Sequence, residues 1–68
     1  MSLQERYETV VKEVSAKGLE NDLRFRHMVG DLHTCYRYYG HSDTRYNVLT
    51  ISKKIDEINA AIKAVGGN

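Results

Sequence analysis

The run His41-Ser42-Asp43-Thr44-Arg45, continuing through Leu49 to Ile51-Ser52-Lys53, sets hydroxyl groups and an arginine at the start of a helix-patterned segment. The first turn of a helix has unpaired N–H groups and a partial positive charge, so it favours anions and mildly disfavours Arg45. A bound phosphate would resolve that conflict. Backbone N–H groups, the Ser42 and Thr44 hydroxyls and the Arg45 fork could converge on one anion. The plainer arrangement has Ser42 or Asp43 capping the helix and Arg45 in water. A second cationic set lies further upstream. Arg26, His33 and Arg37 fall within about 40° on a helix, with Gly30 on nearly the same side. A mid-helix glycine costs roughly 1 kcal/mol relative to alanine and often marks close approach by a backbone or a ligand. The alternative there is a solvated basic face with a packing glycine.

Catalytic and metal-binding patterns do not assemble. His27, His33 and His41 with Cys35 have metal-ligating chemistry, but positions 27 and 33 are about 240° apart on a helix and do not share an ion. Asp56 and Glu57 point to different faces, which suits solubility or salt bridging. The sequence has no Gly-rich phosphate loop after a strand, no nucleophile elbow and no His-Glu-x-x-His helix. These residues read as a binder and not an enzyme, with no cofactor.

Three helices must position these groups, in an all-α fold forming one domain over residues 1–68. Ser2-Leu-Gln-Glu5 is a capping box that opens a first helix, about 3–17, with Leu3, Tyr7, Val10, Val11 and Val14 on its apolar face and Gly18 as its stop. The second helix, about 21–39, carries Phe25, Met28, Val29, Leu32, Cys35, Tyr36 and Tyr39 in one wide arc and stops at Gly40. The third, about 43–65, repeats Val48, Ile51, Ile55, Ile58, Ile62 and Val65 every three or four residues. That spacing predicts a long antiparallel αα-hairpin with the second helix. Leu49 lies about 150° from the centre of this stripe, so a lone hairpin leaves it wet and a second subunit could cover it. Isolated exposed leucines are also normal.

Composition bounds the partners. A 68-residue chain with one cysteine has a small core and no internal disulfide, which makes oligomerisation the expected remedy. Cys35 falls in an apolar stripe, fitting a packing role in a reducing compartment. There is no apolar signal core and no run of roughly 20 apolar residues, so a soluble intracellular chain is expected. The net charge of +1 argues against duplex DNA as the partner.

The third helix resembles a specific family. Asp43-Thr44-Arg45, Leu49, Ile51-Ser52-Lys53, Asp56, Ile58, Ala61 and Lys63-Ala64-Val65 look like the final helix of the small phage anti-CBASS sponge proteins, without a gap. The same hairpin occurs in an anti-Thoeris sponge family, so the resemblance points to the module more than to one ligand. Tyr46-Asn47 and Lys54-Ile55-Asp56 depart from the family pattern, a tryptophan segment is missing near Asn59-Ala60, and the first helix has no clear match.

The resemblance implies an all-helical homo-oligomer, with a hexamer as the candidate assembly. Acting in the cytoplasm of an infected bacterial host, it would sequester cyclic di- or trinucleotide messengers without cleaving them. Arg45 matches the family motif directly, with Thr44, Ser52 and Lys53 as further ligand candidates. A second, inter-subunit pocket would pair an aromatic of the first helix with a cation, for which Tyr7 and Arg24 or Arg26 are the candidates. Tyr7 also sits on the apolar face, where it would be a core tyrosine. Two other readings stay open: a homo-oligomeric protein-interaction module or inhibitor of another defence protein, and contact of the Arg26/His33/Arg37 line with a nucleic-acid backbone.

Overall fold

A computed structural model describes residues 2–40 and 44–66, and these form three helices with no strand: α1 (Leu3–Ala16), α2 (Leu23–Tyr39) and α3 (Arg45–Gly66). Each start has a local cause. Ser2 Oγ accepts from the Glu5 N–H at 3.1 Å while Glu5 Oε1 accepts from the Ser2 N–H at 3.1 Å, the reciprocal capping box expected from the sequence. Asp22 caps α2 by accepting from the Arg24 N–H at 2.9 Å, so that helix begins at Leu23, slightly later than expected.

The joint between α1 and α2 is a Schellman turn. The Leu19 N–H donates to the Val14 carbonyl and the Gly18 N–H to the Ser15 carbonyl, both at 3.0 Å. Gly18 supplies the positive φ of 70° that this turn requires. At the far end of α2 the Gly40 N–H donates to the Tyr36 carbonyl, which a Cβ on residue 40 would run into.

The core is one cluster. Ile51, Ile55, Ile58, Ala61 and Ile62 of α3 are buried against Phe25 and Leu32 of α2 and Val10 and Val14 of α1. Leu3, Val11, Met28, Val29, Cys35 and Tyr36 pack around it half-buried. Three expected stripe members fall outside the cluster: Val48 is half-buried, Tyr39 is 46% exposed and Val65 58% exposed. For Val65 the reason is length: a 14-residue α1 spans about 21 Å against about 33 Å for the 22-residue α3, so the end of α3 overhangs its neighbour.

Polar clamps fix the helices at the margins of the core. The Arg6 fork of α1 donates to Ser52 Oγ and Asp56 Oδ1 of α3, each at 2.8 Å. Lys54 of α3 pairs with Asp31 of α2. Among the described residues, no helix is long and apolar enough to cross a membrane.

Candidate functional site

Between α1 and α2 lies a groove of about 300 Å³. Its floor is apolar, built from Val11 and Val14 of α1 and Phe25 and Val29 of α2, residues placed there because the apolar arcs of both helices are wider than the contact with α3. Its rim is polar. Arg26 and His33 stand along α2 with Gly30 between them, and Ser15 faces them beside Glu20, to which it donates a hydrogen bond at 3.0 Å. A Cβ on Gly30 would meet nothing within 4 Å, so the glycine leaves open space in the groove wall. Its carbonyl accepts from the Thr34 hydroxyl.

Tyr7 closes the neighbouring stretch. Its ring stacks on Tyr36 with centroids 4.1 Å apart and an interplanar angle of 3°, and it meets His33 edge-on at 5.5 Å. Burial, with smaller contributions from Tyr36 and Glu8, pushes the Tyr7 phenol above its ordinary pKa. It therefore stays protonated at neutral pH and can donate to His33 Nδ1, with which it is hydrogen-bonded.

The residues singled out by sequence do not come together in one place. Arg26 lines the α1–α2 groove, and Tyr7 reaches its His33 wall. Arg24, two positions away on the same helix, is exposed in the first turn of α2 and does not line that groove. Arg45 is the exposed first residue of α3. The carbonyl of Thr44 accepts the first helical bond, from the Val48 N–H at 3.1 Å, which puts Thr44 at the cap position. The helix therefore starts two residues later than expected, and the roles read for His41, Ser42 and Asp43 lie outside the described residues.

Ser52, half-buried two turns along, accepts from Arg6 and so forms part of the α1–α3 clamp. Lys53 is on another face again, beside Tyr46, Leu49, Thr50 and Glu57. Sequence reasoning put Arg26, Gly30 and His33 on one side of α2, and Val11, Val14, Phe25 and Val29 on apolar faces, but missed the groove these form and its Ser15–Glu20 rim. The one advance signal was Gly30 standing between Arg26 and His33.

No protein-family model, curated protein or solved structure matches the chain. Any functional reading therefore stands on the residues and their geometry.

Proposed function

We propose that this protein is a non-catalytic binder that sequesters cyclic oligonucleotide second messengers of bacterial antiphage systems, acting as a homo-oligomer in the infected cell. The α1–α2 groove carries the reading. An apolar floor suits the face of a nucleobase, Arg26 at the rim suits a phosphate, and the bare backbone at Gly30 lets a ligand approach closely. Glu20 offers an acceptor for an exocyclic amine. A volume near 300 Å³ holds one base with its phosphate, so the rest of a cyclic ligand would extend toward a neighbouring copy.

Arg45, exposed beside the Thr44 cap, is the second phosphate ligand in this reading. The antiparallel hairpin expected for α2 and α3 is supported by the Asp31–Lys54 pair. Asp31 lies 8 residues before Tyr39 and Lys54 lies 9 residues after Arg45, the register of two helices folding back on each other.

Calorimetric titration with a panel of cyclic di- and trinucleotides, followed by heat denaturation and chromatography of the released ligand, tests the proposal. The expected result is tight binding with intact ligand recovered. Arg26→Ala or Arg45→Ala should each weaken binding by roughly ten- to a hundredfold, the loss of a charge-assisted bond of about 1.5–3 kcal/mol. Absence of binding across the panel would favour a second reading, a homo-oligomeric protein-interaction module. Exposed Tyr38, Tyr39, Tyr46 and Leu49 near the ends where α2 stops and α3 starts support that alternative.

A further inference from the structure

One long face of α3 contacts neither α1 nor α2 through its core stripe. It points directly away from Ile55, which is buried. Tyr46, Thr50, Lys53, Glu57, Ala60 and Ala64 all fall within about 80° of arc on this face and span about 27 Å of helix. Every one but the half-buried Thr50 is exposed, Tyr46 at 76%, and Leu49 borders them at 57%. A shallow groove runs along the N-terminal half of the face, from Tyr46 to Glu57. Neither Lys53 nor Glu57 forms an ion pair among the described residues, whereas the flanking Lys54 and Asp56 are both engaged, with Asp31 and Arg6.

The order of these residues is self-complementary. Large side chains occupy one end, small ones the other, and opposite charges sit on either side of the midpoint. A two-fold axis passing through the exposed side opposite Ile55 sets a second α3 antiparallel to the first. Tyr46 then lies over Ala64 of the second copy, Thr50 over Ala60, and Lys53 against Glu57, each contact occurring twice. Bulky residues meet alanines and unlike charges meet, with no like-charge pair along the seam. In a parallel arrangement Lys53 would face Lys53 and Tyr46 would face Tyr46.

We infer that this face of α3 is the surface on which a second copy of the chain docks, antiparallel and about a two-fold axis, with the Lys53–Glu57 pairs setting its register. This rests on reading the protein as a homo-oligomer and names the surface and symmetry of one interface in it.

Sedimentation velocity on the wild type, Lys53→Glu, Glu57→Lys and an equimolar mixture of the two variants tests it, with circular dichroism confirming helicity. Each single variant places like charges opposite each other twice and should weaken self-association by about tenfold or more. The mixture should restore it. One chain then carries carboxylates at both positions and the other carries ammonium groups at both, so unlike charges meet again at each crossing. Lys53 and Glu57 are also four apart on the same helix, but a charge effect confined within one helix cannot be rescued by mixing chains. Association of the wild type that is indifferent to both variants, or not rescued by mixing, overturns this interface and leaves the homo-oligomer standing. A wild type that is monomeric at every concentration overturns both.

Discussion

Gly18 and Gly30 show how the same residue type serves opposite ends. At both positions a Cβ would enter open space, so packing does not explain either glycine. Gly18 sits at φ 70°, where any side chain strains the backbone, and Gly30 sits mid-helix, where alanine is the better residue. Gly18→Ala should therefore lower stability by about 1 kcal/mol and Gly30→Ala raise it by about 0.5–1 kcal/mol, as read by urea denaturation. The glycine beside Arg26 and His33 leaves that stretch of backbone open. If the groove holds a ligand, Gly30→Leu should abolish binding in the calorimeter while the fold persists. Tight binding by that variant would place the ligand elsewhere, with Arg45 the next position to probe.

At the scale of the helices, two charged groups give the fold opposite pH sensitivities. The Ser2 backbone N–H, and secondarily its hydroxyl, hold the Glu5 carboxyl below its ordinary pKa. The depressed value means that the capping box contributes fully above the ordinary glutamate range and is lost as pH falls through the folded value. The hydrogen bond from Lys54 to Asp31 raises the lysine's pKa despite the opposing effect of burial. Its contribution is complete below the ordinary lysine range and disappears as pH rises through the raised value. Hydrogen exchange should show the first turn of α1 opening selectively in acid, with Glu5→Gln removing most of that pH response. Acid-insensitive protection of Arg6 and Tyr7 amides would rule out the box as the cause.

The whole molecule measures 36 × 20 × 16 Å, and nine side chains among the described residues are buried as its core. Such a core leaves little margin for a chain of this length with no disulfide, while Leu23, Tyr38, Tyr46, Leu49 and Val65 remain largely exposed. Covering any of these surfaces with a second copy couples folding to association. The melting temperature should then rise with protein concentration over the micromolar to millimolar range. A melting temperature that does not move with concentration would mean the three-helix unit is stable alone and the exposed aromatics serve another partner.

Periodicity and punctuation in the sequence were enough to place the three helices to within a few residues of their ends. Ser2-x-x-Glu5, Gly18, Asp22 and Gly40 act through bonds within a few residues of themselves, and the isoleucine stripe of α3 follows from the helical repeat alone. The position of Leu49 on an uncovered face follows from the same geometry. The tertiary structure decided which cations belong together. Helical spacing placed Arg26 and His33 on one line but carried no information on the Val11–Val14 wall opposite, which belongs to a helix more than ten residues away in the chain. Ser52 looked like a hydroxyl beside Arg45 until Arg6, distant in sequence, took it into a clamp. Val65 fits the apolar repeat yet lies exposed, because burial depends on how far the neighbouring helix extends, and a single helix does not encode the length of its partners.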